Sequence, residues 1–419
     1  MGKENGNCMN EILYRDARQI MAGAIRQVLP DIAVGQALSG REYSGKVYLA
    51  AIGKAAWQMA KAAADCLPVS PAAGIVLTKY GHVKHMLPGI VCLEGGHPVP
   101  DENSLKGTEA VLNMTADLTE DDTVLLLLSG GGSALFEQPL VPLEELQDIT
   151  GQLLASGADI VEMNRIRKRL SGVKGGRFAQ HCAPAKVEAV ILSDIVGDPL
   201  DMIASGPVTP DTSTCRQAMA AARKYRLNLS SRAKACLEKE TPKELGNVET
   251  RIIGSVRQLC AAAGDVCREL GYETVLLTDC LGCEAREAGR FLADIVRCHA
   301  GSGRKLAFLA GGETVVSLTG HGMGGRNQEL ALAAAPGIAG LHAAVFSVGS
   351  DGTDGPTDAA GGYVDGDTQR ALQEKGYSVS EALAENDAYH ALQAVNGLLI
   401  TGPTGTNVND VAVALLQGD

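Results

Sequence analysis

The residues best placed to do chemistry in this chain lie in glycine- and hydroxyl-rich loops that follow apolar runs. Thr314 to Leu318 is β-branched and apolar enough to be expected as a strand. Gly320, Gly322, Gly324 and Gly325 follow, and Arg326, Asn327 and Gln328 open an expected helix that runs to Ala335. A strand, a glycine loop and a helix N-terminus bring unpaired N–H groups and the helix dipole to one point, which makes an anion site. Arg326 would add a fixed positive charge there. The spacing Gly320-x-Gly322-x-x-Gly325 also meets the dinucleotide fingerprint, so phosphate and dinucleotide binding both stay open for this stretch.

Four other loops carry similar chemistry. Thr123–Leu128 is almost purely Val and Leu, as a strand covered on both faces would be, and it ends in Ser129-Gly130-Gly131-Gly132-Ser133. Bare amides and two hydroxyls at a strand end form a nest for phosphate or carboxylate, with a plain flexible loop as the competing reading. Val47–Ile52 is expected as a buried parallel strand, and Lys54 follows it at the carboxyl end, where open α/β sheets bind ligands; a solvated lysine is the alternative. Val187–Leu192 runs into Asp194 and Asp198, two carboxylates suited to magnesium or general-base work. Ala343–Val348 leads to Asp351, Asp354 and Asp358, too dense a set for Asx-turns alone to explain.

Some features admit a plainer explanation. Arg165, Arg167, Lys168 and Arg169, with Lys174 and Arg177 after them, form either a solvated helix face or an anion-binding edge. Gly40 to Val47 imitates a phosphate-binding P-loop but has Val47 where Ser or Thr is required, and its strand comes after it. His97, in a turn-rich loop, is as readily structural as catalytic. Cys280 and Cys283 form a lone CxxC without a second pair at zinc spacing.

These loops need elements to hold them. Residues 10–29 repeat apolar positions at helical spacing up to Pro30, and short strands then alternate with helices to about Glu240. The polar stretch Thr241–Val248 is the best linker, and the alternation restarts with a strand at Thr250–Ile253. With 419 residues, two domains are expected, at 1–243 and 244–419. Gly is abundant and aromatics make up only 4%, which favours an α/β protein with many tight loops. A net charge of −12 argues against nucleic acid or an anionic membrane as partner. The N-terminus has no apolar signal segment, and no apolar run approaches spanning length. Eleven cysteines without a signal fit reduced, buried thiols in a cytoplasm.

Taken together, the loops resemble those of the glycerate 2-kinase family, the class II glycerate kinases. The resemblance spans nearly the whole chain. It rests on GKAA at Gly53–Ala56, SGGGSAL at Ser129–Leu135, the NxxRKxLSxxKGG pattern at Asn164–Gly176 and SDxxGDPLxxIASGP at Ser193–Pro207. It continues in GGET with GGRNQEL, GTDGPTDAAG at Gly352–Gly361 and TGPTGTNV at Thr401–Val408. One departure is Val256, where the family pattern has an asparagine.

The resemblance implies an α/β fold of two domains, an N-terminal Rossmann-like parallel sheet and a smaller C-terminal α/β domain with the MOFRL region, with the active site in the cleft between them. It implies transfer of the γ-phosphoryl of ATP to the 2-hydroxyl of D-glycerate, with Lys54 and Arg326 matching the family's catalytic basic residues. Phosphoryl transfer asks for positioning and charge neutralisation, which these loops offer. Asp194 is expected to act on the glycerate hydroxyl, and Asp198, Asp351 and Asp354 to hold Mg²⁺. The amides and hydroxyls of Ser129, Gly130, Gly131, Gly132 and Ser133, with Lys168, Gly322, Gly324, Gly325 and Asn327, are expected around ATP or substrate. Competing functions are a nicotinamide-dependent hydroxypyruvate reductase using the Gly320–Gly325 fingerprint, a kinase for another sugar acid, and a non-catalytic nucleotide- or sugar-acid-binding regulator. A homodimer is compatible with all of them.

Overall fold

The computed structural model describes residues 10–418; the N-terminal stretch expected to lack a signal falls mostly outside them. The amphipathic pattern over 10–29 folds as α1 (Glu11–Gln27), capped by the Asn10 side chain. The chain divides into two compact units, residues 30–253 and residues 10–29 together with 254–418.

The first unit is built on β1 (Val47–Ile52), β2 (Ala73–Lys79), β3 (Ile90–Gly95), β4 (Thr123–Leu128), β5 (Lys186–Leu192) and β6 (Val248–Gly254). Their order in the sheet is β3-β2-β1-β4-β5-β6, with parallel pairing from β3 through β5. Parallel neighbours need crossovers. These and the flanking layers come from α2 (Pro30–Leu38), α3 (Ala56–Cys66), α4 (Glu102–Met114), α5 (Gly132–Leu135), α6 (Leu143–Ala155), α7 (Ile160–Leu170), α8 (Arg177–Cys182), α9 (Cys215–Lys224) and α10 (Ser231–Leu237). Every residue of β4 is buried, as its Val/Leu run requires. Ile52, Leu126 and Leu128 pack with Phe136 and Phe178, whose rings meet edge-on at 5.1 Å. The strand order is that of doubly wound dinucleotide folds, and it reverses direction between β1 and β4.

The second unit contains α11 (Val256–Glu269), β7 (Glu273–Leu281), α12 (Ala285–His299), β8 (Leu306–Gly312) and α13 (Arg326–Ala334). It continues with β9 (Ala343–Gly349), β10 (Gly361–Asp365), α14 (Thr368–Glu374), α15 (Val379–Ala384), α16 (Ala388–Ala394), β11 (Leu398–Leu399) and β12 (Asp410–Leu416). The sheet order is β11-β10-β9-β12-β8-β7, antiparallel except for β7 beside β8. Val256, the departure from the family pattern, is buried and a Cβ on Gly311 would stand 2.7 Å from it.

Several expectations change. The strand expected to restart the alternation, Thr250–Ile253, lies in β6 and completes the first sheet, so the units divide at 253 and not at 243. Helix α1 belongs with the second unit, against α11. Thr314–Leu318 is not a strand: Val315 makes one isolated bridge to Glu284, while Val315 and Leu318 are 55% and 82% exposed. Among the described residues the thiols are not uniformly buried, since Cys66, Cys280, Cys283 and Cys298 are exposed. Among the described residues no helix is long and apolar enough to cross a membrane.

Candidate active site

The reversal point of the first sheet brings two of the expected loops together. Gly53, at φ +122°, turns the chain out of β1, and a Cβ there would stand 2.3 Å from the Ser129 hydroxyl. The Lys54 amide donates to the Gly130 carbonyl at 2.8 Å, and the Ala55 amide donates to Ser129 Oγ at 3.0 Å. The loop after β1 is thus stitched to the loop after β4. The hydroxyl of Ser129, expected on a ligand, serves as that stitch.

Gly131 then takes a left-handed conformation at φ +86° and opens α5. The amides of Gly131, Gly132 and Ser133 donate no hydrogen bond to protein among the described residues. Lys54 is half-buried, and its ammonium makes no hydrogen bond or ion pair among those residues. The two groups are neighbours: a Cβ on Gly131 would lie 3.2 Å from Lys54 Cγ and 3.1 Å from His97 Nε2. Burial and the Lys54 charge hold the His97 imidazole below its ordinary value, which favours its neutral form. Its GGHPVP loop gave no hint of this position in the sequence.

The loop after β5 closes the same site. Asp194 rests on Gly130 so tightly that a Cβ there would stand 1.9 Å from its Oδ2. Asp198 holds φ +52°, and its Oδ1 is buried without a hydrogen-bond partner. Ala204 and Ser205 follow at φ +49° and +61°. Non-glycine residues in this region cost on the order of 1–3 kcal/mol each, and such strain persists where surroundings enforce it. Here Ser205 is fixed by hydrogen bonds: its hydroxyl donates to Asn164 Oδ1 at 2.8 Å and is bonded to the Ser133 hydroxyl at 3.1 Å. An orphaned, buried carboxylate oxygen fits a divalent cation, and magnesium takes few protein carboxylates beside water and phosphate oxygens. The residues present therefore fit Mg²⁺ at Asp198, although no group of three ligating side chains occurs among the described residues.

Lys168 is not part of this ligand surface. It is buried and pairs with Asp201 at 3.0 Å and Asp211 at 3.3 Å. Arg169 pairs with Asp211 and Glu240, and Lys174 with Glu137 at 2.7 Å. The basic run is largely an internal ion-pair network, because α7 turns this face toward acids some thirty to seventy residues away in sequence.

In the second unit the glycine loop and α13 are present, but their anion site is already taken. The amides of Asn327 and Gln328, at the helix mouth, donate to the two oxygens of Asp354 at 3.1 and 2.9 Å. Asp354, expected on a metal, is instead the anchor of α13, and the dinucleotide fingerprint loses its pyrophosphate position. Asn327, expected at ATP, is buried and accepts from the Ser347 hydroxyl at 2.5 Å. Gly322 spends its amide on the Glu385 carbonyl at 2.8 Å. Gly325 lies against Asp354, where a Cβ would stand 2.4 Å from Oδ1, and Gly324 sits beside Ala388. Asp351 accepts from the Thr353 amide at 2.9 Å in a local turn.

Arg326 does stand at the start of α13, but it is answered. Asp410 grips it through Nε at 2.5 Å and Nη2 at 3.0 Å, and Glu313 reaches Nη1 at 3.2 Å. Arg326, Glu313 and the glycines line a cleft of about 740 Å³ whose other wall is Val315, Val316 and Leu318.

Burial, with Asp410 nearby, pushes the Asp354 carboxyl up to about 6 despite the amides that bond it. A carboxyl raised on folding binds its proton more tightly in the folded state. Its contribution is full below pH 3.8 and is lost as pH climbs through about 6. Asp354→Asn removes that titration, so its stability relative to the parent should improve steadily across this window. Denaturant melts of both proteins from pH 4 to pH 7 check it; a constant difference would refute the assignment.

Comparison with known proteins finds two family models along the chain. A family model described as a domain of unknown function (DUF4147) matches residues 16–238, and the MOFRL family model matches residues 306–410. A D-glycerate 2-kinase of Thermotoga maritima is 50% identical over 413 residues, covering 97% of this chain and 99% of its own. A glycerate 2-kinase of Pyrococcus horikoshii is 42% identical over 90% of each chain. The crystal structure of the Thermotoga maritima glycerate kinase superposes with a TM-score of 0.93 at 49% identity, over 97% of this chain and all of that one. Sequence, fold and both matched segments agree: the chain belongs to the glycerate 2-kinase family and is an enzyme.

Proposed function

We propose that this enzyme transfers the γ-phosphoryl of ATP to the 2-hydroxyl of D-glycerate, giving 2-phosphoglycerate and ADP. The observation that carries the reading is the unpaired Lys54 ammonium beside the bare amides of Gly131–Ser133. A half-buried cation and oriented N–H dipoles stabilise the charge on a transferring phosphoryl without reorganisation. In the second unit Arg326 is a cation whose plane Asp410 fixes, while Nη1 faces the more exposed Glu313 and can exchange that partner for a phosphate oxygen. Asp194 orients the 2-hydroxyl and takes its proton. Mg²⁺, when bound, would neutralise the nucleotide's phosphates, with Asp198 as its candidate holder.

Purified protein with MgATP and a panel of hydroxy and sugar acids tests this, with the phosphorylated carbon located by phosphorus NMR. D-glycerate should give the highest kcat/KM and a 2-phosphate. Preferred use of a longer sugar acid, or phosphorylation at the 3-hydroxyl, would replace the reading. NADH-linked reduction of hydroxypyruvate in the absence of ATP turnover would overturn it in favour of a reductase.

A further inference from the structure

Helix α7 carries two cations that the internal network leaves over, and one of them is set apart by its burial. Lys168, Arg169 and Lys174 are each met by a carboxylate, and Arg177 donates to the carbonyls of Lys168 and Ser171 at 2.5 Å. The side chains of Arg165 and Arg167 make no hydrogen bond or ion pair among the described residues, although the Arg165 carbonyl accepts from Arg169 at 3.1 Å. Arg167 differs from its neighbour in two respects. Burial lowers its guanidinium from the ordinary value, with only Glu137 opposing the shift. It also lies three residues from Asn164, so both occupy one face of the helix.

That face points at the site. Asn164 accepts from Ser205, Ser205 is bonded to Ser133, and Ser133 belongs to the bare-amide nest. The turn Ile203–Ser205 packs between them: a Cβ on Gly132 would meet Ala204 Cβ at 2.7 Å. Glu137, the nearest acid, is buried and already neutralised by Lys174, which also bonds the Phe136 carbonyl at 2.8 Å. Glu137, Lys174 and Arg167 therefore leave one positive charge without an answering anion. An uncompensated, largely buried charge is costly, and a guanidinium is shaped for bidentate carboxylate recognition.

We propose that Arg167 binds the carboxylate of the hydroxy-acid acceptor and sets the preference for an acid over a neutral polyol. The proposal rests on the kinase reading above. With the acid held at Arg167 and the phosphoryl at the Lys54 nest, the hydroxyl next to the carboxylate is presented for transfer.

The test uses the full chain and the variants Arg167→Gln and Arg167→Lys. For R167Q the KM for D-glycerate should rise about a hundredfold, as when one partner of a buried charge pair is truncated. Its KM for ATP should change less than about twofold. R167K, which keeps charge but loses the planar fork, should fall between. Glyceramide, lacking the carboxylate, should be used equally poorly by parent and R167Q. In the absence of nucleotide, D-glycerate should raise the melting temperature of the parent and not that of R167Q.

An unchanged KM for D-glycerate in R167Q, or in R167K should R167Q not fold, would overturn the proposal. So would equal losses toward D-glycerate, glyceramide and ATP with a lowered melting temperature, because Arg167 would then be a structural partner of Glu137. If the parent phosphorylates no D-glycerate, the kinase reading fails separately; a melting shift by another hydroxy acid that R167Q abolishes would still support the carboxylate role.

Discussion

Replacing Lys54 by alanine should lower kcat about a thousandfold while leaving the fold intact, the scale seen when a charge-neutralising residue is removed from phosphoryl transfer. Such a loss corresponds to about 4 kcal/mol of transition-state stabilisation. The expectation of an intact fold is specific to this residue. Its structural contacts are all made by backbone: the amide donates to Gly130, and the carbonyl is bonded by His82 Nδ1 at 2.9 Å. Alanine keeps both, and the ammonium it removes holds nothing in the protein. Melting temperature should therefore stay within about a degree of the parent while saturated turnover collapses. Turnover within tenfold of the parent would remove Lys54 from the chemistry.

The second large effect is at Arg326, and it has two components. Arg326→Ala should also cost about a thousandfold in kcat. Unlike Lys54, however, Arg326 answers a buried acid: the Asp410 side chain is only 8% exposed. Stripping one partner from a buried pair costs roughly 3 kcal/mol, less here because the arginine is itself about one-third exposed. R326A should therefore melt lower as well as turn over slowly. Asp410→Asn added to R326A removes the stranded charge and should restore much of the stability. It should restore none of the activity. Recovery of turnover together with stability would mean that Arg326 acts only by holding β12 against α13.

The strands and the first-unit loops were legible because their signals are local. Val and Leu runs marked β1, β4 and β5, and glycine or polar residues at their ends marked the loops that the fold brings to one point. Lys54, Gly131, Asp194 and Asp198 were singled out in this way. What misled was the assumption that a reactive residue type is free to react. Lys168 is spent on Asp211 and Asp354 on the α13 amides, through partners 43 and 26 residues away that no window on the sequence connects. Thr314–Leu318 looked like a strand because its apolar residues line a cleft instead of a sheet. Asp410–Leu416 was passed over, although DVAVALL is a continuous apolar run; it is the fully buried strand between β8 and β9. His97 carried no periodic or motif signal, and only three-dimensional proximity to Gly131 marks it.

The placement of α1 has a consequence for synthesis on the ribosome. The helix emerges more than two hundred residues before the partners it packs on. Gly23 sits under Val266, Asp16 accepts from the Tyr272 hydroxyl at 2.9 Å, and Tyr14 meets Tyr363 edge-on at 5.1 Å. Residues 30–253 are in effect a domain inserted into another, and they can complete their own sheet while α1 waits with its apolar face uncovered. The second unit cannot finish until more than two hundred further residues have been translated, so it completes after the first unit, which can fold during elongation. A fragment beginning at residue 254 would expose the α11 face that α1 covers, whereas a permuted chain joining α1 directly to α11 would supply it early.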